Sequence, residues 1–436
     1  MNVKIDPSRI SGTIQAPASK SSMQRACAAA FLYNGTTVIR NPGSSNDDLA
    51  ALGIIQKLGA FVSMDEHGDY IVKQKGGAVS YDYSGIIDCA ESGLSLRMFT
   101  PIAALSHGEI IVTGHGSLLK RPVDFFDEIF PILQIAIDSN LGLLPLKIKG
   151  PLQPVDITIN GSLSSQFLTG LLFAYAVACK KPVTIKVENL KSKPYIDLTL
   201  EVMHHFGWKI DHMDYKEFYF TPFTGQALPA ITYSVEGDHS NAAFLFVAAA
   251  ISGSIKVEGL TLNSSQGDKA IIGVLQNAGA KVLADANSIS VSSGLLQPFT
   301  FDATHSPDLF PPLVALAAYC KGISRISGVS RLAHKESNRA LTLQHEFEKM
   351  GVKISLQNDE MIIEGGEIVI GTMVHSNNDH RIAMATAVAG LGANGPVIIQ
   401  QAEAVEKSYP GFFNDLVHLN VSLQKNINDT FAAAGS

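Results

Sequence analysis

The sequence predicts an α/β protein of two similar domains, each made of three β-α-β-α-β-β units whose buried inner helices lie beneath outer sheets. Three observations predict it. One pattern is written six times along the 436 residues, at intervals of about 70. Each copy opens with a polar loop that runs into a small-residue segment apolar nearly all round, as a helix buried on every side must be. The chain is also too long for one ordinary core, so two domains are expected.

The polar loops are, in order, Ser19-Lys20-Ser21-Ser22, Glu91-Ser92-Gly93, Ser164-Ser165-Gln166, Gly237-Asp238-His239-Ser240, His305-Ser306-Pro307-Asp308 and Asn378-Asp379-His380-Arg381. The apolar helices are expected over residues 25–33, 167–178, 242–251, 313–319 and 382–391. A second, amphipathic helix in each unit often runs into glycine, at Gly59, Gly207, Gly279 and Gly351, where a left-handed C-cap belongs. Short strands follow, such as 353–356 and 361–364. A second polar loop then carries a cation in five copies: Lys120-Arg121, Lys191 with Lys193, Lys269, Lys335 with Arg339, and Lys407. The seam between the third and fourth copies falls within residues 233–237. No low-complexity linker marks it, so a tight hinge is expected there.

Composition narrows the function. With 46% hydrophobic and 17% charged residues the chain is globular and well packed. A net charge of −7 argues against a general nucleic-acid or membrane-surface binder. Cys27, Cys89, Cys179 and Cys320 are widely separated, with neither metal spacing nor a disulfide framework, and read as buried thiols in a reducing compartment. No apolar signal core follows Met1 and no run is long enough to span a bilayer, so a cytoplasmic protein is expected. Residues 431–436 read as a frayed tail.

The loops carry the chemistry. Lys20, Ser21 and Arg25 stand at the start of a buried helix, where free N–H groups and the positive dipole end favour an anion. Ordinary serine capping explains one such loop equally well, but not similar chemistry in six. Ser164, Ser165 and Gln166 offer two hydroxyls and an amide at another helix start. Arg97, Arg121, Arg339 and Arg381 supply forks that match carboxylate and phosphate. So many cations in an acidic protein imply substrates bearing several negative charges. Asp308 and Glu336 stand among them, either as structural ion pairs or as a general acid and base. His305, His334 and His380 are further proton carriers, without ligand spacing for a metal. No Walker loop, dinucleotide glycine pattern or nucleophile elbow is present. Catalysis without metal or organic cofactor is therefore expected.

Taken in order, these loops closely resemble the 5-enolpyruvylshikimate-3-phosphate synthase family from about Ile10 to Leu416. Further carrying segments are Ser192-Lys193-Pro194-Tyr195-Ile196-Asp197, Lys335-Glu336-Ser337-Asn338-Arg339 and Lys407-Ser408-Tyr409-Pro410. The resemblance implies an enolpyruvyl transferase-like inverse α/β barrel. One lobe would be residues 18–235, the other 1–17 plus 236–436, with the active site in the cleft between them. It implies transfer of the enolpyruvyl group of phosphoenolpyruvate to the 5-hydroxyl of shikimate 3-phosphate, with release of phosphate and no cofactor. Lys20, Ser21, Arg25, Ser164, Ser165, Gln166, Ser192, Asp308 and Lys335 would hold shikimate 3-phosphate. Lys20, Gly93, Arg121, Gln166, Arg339, Arg381 and Lys407 would hold phosphoenolpyruvate. Asp308 would take the hydroxyl proton, and Glu336, with Lys20, would protonate the methylene carbon. A monomer is expected, with glyphosate competing for the phosphoenolpyruvate site.

Some positions depart from the family pattern: Glu91, Leu94, Arg331, and Ala333-His334 ahead of Lys335. Glu91 would bring a negative charge to the phosphoenolpyruvate loop unless it pairs with Arg97 or Arg121. Two rivals remain. The related UDP-N-acetylglucosamine enolpyruvyl transferases generally carry a Cys in the loop matching His115-Gly116-Ser117, and this chain has none there. A ring-like nucleic-acid clamp needs basic inner helices, and these are apolar.

Overall fold

The computed structural model describes residues 1–74, 82–222 and 229–427; the tail expected to fray lies outside them. Among the described residues there are six four-stranded sheets with one shared order. In the sheet of Ile157–Asn160, that strand lies parallel to Val183–Glu188, which pairs antiparallel with Glu217–Phe220, and Asp211–Met213 closes the edge. Where an inner helix joins the first two strands of a sheet, as here, they must be parallel because the connection is a crossover.

The chain divides into two compact units, 18–236 and 1–17 with 237–436. Two strand exchanges produce that division. Ile10–Gln15 precedes the first inner helix in sequence but pairs parallel with Gly253–Glu258. Ile231–Ser234 in turn pairs parallel with Thr36–Arg40 and serves as the leading strand of the first sheet. Val3–Ile5 completes the last sheet, antiparallel to both Val397–Gln400 and Leu423–Lys425.

Each unit has its own core around three inner helices. Lys20–Leu32, Gly93–Ala103 and Ser165–Ala178 serve residues 18–236, centred on Phe31, Phe99 and Phe173. His239–Ser252, Phe310–Ala318 and His380–Gly390 serve the other unit, centred on Phe244, Leu313 and Met384. These helices are buried on all faces, as their lack of a polar stripe predicts. They start up to five residues before the apolar runs, because the polar loops are their caps. Ser19, Ser92, Ser164, Asp238 and Asp379 each accept a backbone N–H of the first turn. The fifth inner helix is entered through a 3₁₀ turn, Pro307–Leu309, with prolines at its own start. Gly170 allows close helix contact, since a Cβ there would lie 2.7 Å from the carbonyl oxygens of Arg97 and Met98.

The second helices end alike in all six units. Gly59, Gly207, Gly279 and Gly351 adopt positive φ, and the following N–H reaches back to the carbonyl five residues earlier, as Ala60 does to Ile55. The same closure occurs at Gln134 and Asn420, with φ of 61° and 69° and no glycine. All four cysteines are buried and unbonded to one another. Among the described residues no helix is long and apolar enough to cross a membrane.

Candidate active site

Each unit gathers a cluster at its helix starts. In residues 18–236, Lys20 opens the first inner helix and its Nζ lies 2.9 Å from Asp47 Oδ2. One turn on, Arg25 is almost fully buried. Its Nε donates to Thr199 Oγ1 (2.9 Å), Nη1 to the Ser21 carbonyl (2.8 Å) and Nη2 to the Tyr195 carbonyl (3.2 Å). Burial pulls the guanidinium down to about 10, and no carboxylate is among these partners. A buried cation held only by neutral oxygens retains net positive field, which suits an anion. Ser21 thus holds Arg25 through its backbone carbonyl.

The starts of the three helices are tied together. Gln24 Oε1 accepts from Ser92 Oγ (3.2 Å) and Ser95 Oγ (3.0 Å). Arg97 Nη1 donates to Gln166 Oε1 at 2.9 Å, and its guanidinium lies 5.2 Å from the Phe167 ring centroid. Ser164 caps the third helix and the adjacent Ser165 is buried. Ser192 is buried in a left-handed conformation (φ 55°), just ahead of the helix Lys193–His205. Arg121 is 5% exposed and donates from Nη2 to Ser117 Oγ at 3.2 Å, while the Ser117 N–H donates to Glu91 Oε2 at 3.3 Å. Ser117 thus joins Arg121 to Glu91, and Arg97 turns to Gln166.

Gly93 is shaped around Arg121. A Cβ at Gly93 would lie 2.6 Å from Arg121 Nη1 and 3.4 Å from Arg97 Nη1. Gly93→Ala is expected to push the Arg121 guanidinium aside.

In the other unit the charges are denser. Asp308 sits in the 3₁₀ turn before the fifth inner helix. Its Oδ1 accepts from Arg339 Nη1 (2.8 Å) and Lys335 Nζ (3.3 Å), and its Oδ2 from Arg381 Nη2 (3.1 Å). Burial favours the neutral acid, but Arg381, Lys335 and Arg339 outweigh it and hold Asp308 well below the usual carboxylate range. Arg339 is 1% exposed. Besides Asp308 it bonds Glu336 through Nη2 and clamps Asp379, Nε to Oδ2 at 2.9 Å and Nη2 to Oδ1 at 3.2 Å. Burial opposes that charge, but Asp379, Glu336 and Asp308 keep Arg339 protonated throughout. Burial pulls the Lys335 ammonium down, partly offset by Asp308. Arg331, half-buried, also feels Asp308. Lys407 is buried, and its Nζ donates to the Asn378 carbonyl at 2.7 Å.

Exposure is graded through this cluster. Asp379 is wholly buried, Arg381 is 5% exposed, and Glu336, Asp308 and Lys335 reach 15, 22 and 25%. Asp379 is a foundation; the last three are where a substrate can make contact. Glu336, Asp379 and His380 bring one donor atom each within 4.8 Å of one another, a spacing a cation can bridge. Arg339 already bonds both carboxylates, so the protein supplies that cation itself. Of the histidines, His380 is buried at the sixth inner helix, His305 is half-buried and His334 exposed.

Two carboxylates essential to this geometry were not singled out from sequence. Asp379 is legible as a helix cap but not as the clamp of an arginine 40 residues away. Asp268, fully buried, accepts from Ser240 Oγ. Lys269, expected among the loop cations, instead donates to the Leu262 and Ser264 carbonyls at 2.7 Å and so closes its own loop.

The fold is similar to that of EPSP synthase from Acinetobacter baumannii, with a TM-score of 0.80 over 97% of this chain and all of that one, at 23% identity. It is also similar to the enolpyruvyl transferase NikO from Streptomyces tendae, with a TM-score of 0.75 over 97% of this chain and 98% of that one, at 16% identity. Repeated sheets, buried helices and charged helix starts thus define an enolpyruvyl-transferase fold. The sequence profile of EPSP synthase (3-phosphoshikimate 1-carboxyvinyltransferase) matches residues 5–416. Relatives named 3-phosphoshikimate 1-carboxyvinyltransferase are 36% identical over 423 residues in Clostridium perfringens (96% of this chain, 98% of the relative) and 35% over 426 in Methanocorpusculum labreanum (98% and 100%). The chain belongs to the EPSP synthase family.

Proposed function

We propose that this chain transfers the enolpyruvyl group of phosphoenolpyruvate to the 5-hydroxyl of shikimate 3-phosphate and releases phosphate by addition and elimination. The observation that carries the reading is Asp308, a partly accessible carboxylate hydrogen-bonded by Lys335, Arg339 and Arg381. Such a centre can take a proton from a substrate hydroxyl while its cations hold the substrate's anionic groups.

In addition, the 5-hydroxyl oxygen bonds to C2 of phosphoenolpyruvate, its proton passes to Asp308, and the methylene carbon gains a proton from Glu336, assisted by Lys20. In elimination, the resulting methyl group returns a proton to the protein and the C–O bond to phosphate breaks. Ser21, Arg25, Ser164, Ser165, Gln166 and Ser192, with Lys20, Lys335 and Asp308, bind shikimate 3-phosphate. Gly93, Arg121, Arg339, Arg381 and Lys407, with Lys20 and Gln166, bind phosphoenolpyruvate. Arginine forks and helix starts suit the phosphate and carboxylate that each substrate carries. We place the protein in the cytoplasm as a monomer.

The test is phosphate release from phosphoenolpyruvate with shikimate 3-phosphate, with UDP-N-acetylglucosamine, or with neither. Release is expected with shikimate 3-phosphate alone; release only with the nucleotide sugar, or with neither, refutes the reading. Neither rival named above has support from the family to which the chain belongs.

A further inference from the structure

Asp268 has no part in the reaction as assigned above, yet the structure builds a site around it. Its side chain is 0% exposed and accepts from Ser240 Oγ at the start of the fourth inner helix. The neighbouring Gly267 carbonyl accepts from Ser306 Oγ at 3.0 Å, two residues before Asp308, so the loop of Asp268 is tied to the loop that carries Asp308. Gln266, on the same loop, donates from Nε2 to the Gly237 carbonyl at 2.8 Å and accepts the His239 N–H at 3.0 Å. The buried Asp268 and the partly exposed Asp308 thereby stand on loops tied to one another, and both feel Arg381.

The arrangement addresses a difficulty in the assigned chemistry. A carboxylate held by three cations is a weak base, because every cation that keeps it ionised also lowers its affinity for the hydroxyl proton. We propose that Asp268 is a positioning residue for this reaction, whose negative charge offsets Arg381 and makes Asp308 a stronger base. The inference rests on Asp308 acting as the base. It requires Asp268 to be charged at working pH. The charged and titratable groups that face it include Asp308, Arg381 and Asp238, and Ser240 donates a hydrogen bond to it. Lys269, next in sequence, turns its Nζ to the Leu262 and Ser264 carbonyls. Burial, and after it Asp308, push Asp268 up to about 6, while Arg381 and Ser240 oppose the rise. The group is therefore neutral in mild acid and charged above neutrality.

The experiment compares kcat, at saturating phosphoenolpyruvate and shikimate 3-phosphate, for the wild type and Asp268→Asn across the acid to mildly alkaline range. Both substrates carry phosphates that titrate near 6, so the ratio of the two rates is read rather than either profile alone. The ratio is expected to be near one in mild acid and to rise to about tenfold above neutrality, as a strengthened general base allows. Its midpoint should lie near 6. A ratio flat across pH overturns the proposal, since a merely structural loss has no such midpoint. If Asp268→Asn does not fold, Ser240→Ala retains the acid and removes a hydrogen bond that favours its charged form. The ratio of wild type to that variant must then rise above one only in the pH range where Asp268 is charged in the wild type and still neutral in the variant, and a ratio flat across pH overturns the proposal equally. Asp308→Ala separates the two claims: a dead Asp308 variant beside a flat Asp268 ratio removes only the role of Asp268.

Discussion

Asp308→Ala and Glu336→Ala are each expected to reduce turnover by about 10²- to 10⁴-fold, the range for losing a positioned acid or base. Substrate binding should remain measurable. Asp308 bonds Lys335, Arg339 and Arg381, so its removal subtracts a negative charge and leaves three cations together. Anionic substrates should bind that cluster at least as well as before. The loss therefore belongs in kcat and not in affinity, a separation that calorimetric titration of phosphoenolpyruvate and shikimate 3-phosphate beside steady-state rates would reveal. Glu336 lies at the outer side of Arg339 and is 15% exposed, so its truncation disturbs the buried ion pairs less. Normal turnover in either variant would remove that residue from the chemistry.

Arg339 is expected to matter for folding as well as function. It is 1% exposed, and Asp379, its bidentate partner, is 0% exposed. Arg339→Met leaves the Asp379 charge buried with the Ser337 hydroxyl, the Arg381 N–H and the His380 ring, whose Nδ1 lies 3.9 Å away, to hold it. Breaking a buried ion pair on one side costs about 3–5 kcal/mol. A denaturant titration should register that loss, together with inactivation. Arg339→Met combined with Asp379→Asn should recover most of the stability, because the stranded charge is gone, but no activity. A single variant as stable as the wild type would mean that Asp379 finds another partner or is neutral.

How much of this was legible in the sequence follows from the range of each interaction. The inner helices were visible because a buried helix needs small apolar residues at every position, as 242–251 shows. Their first turns were less so: Gln24, buried against Ser92 and Ser95, reads as an ordinary polar residue in a loop-to-helix transition. Glycine C-caps at 59, 207, 279 and 351 could be read locally, whereas the same turn at Gln134 and Asn420 carries no compositional mark. Strand partners were the least legible from composition. Nothing in residues 10–15 indicates pairing with 253–258, because pairing depends on long-range contacts and not on the strand's own side chains. The candidate site divides likewise. Lys20, Arg121, Asp308, Glu336, Arg339, Arg381 and Lys407 stood out as charges beside small residues, but the roles of Asp379 and Asp268 required knowing what lies across from them.

The strand Val3–Ile5 has a consequence for the order of assembly on the ribosome. It lies between partners at 397–400 and 423–425, so it must wait for strands made about 400 residues later. Throughout synthesis Val3 and Ile5, fully buried at the end, have no sheet to enter. The intervening residues 18–236 have all strands of their own three sheets by the time Ser234 emerges. Vectorial production thus lets one lobe mature early and leaves the other open until residues 397–425 are available to close its last sheet.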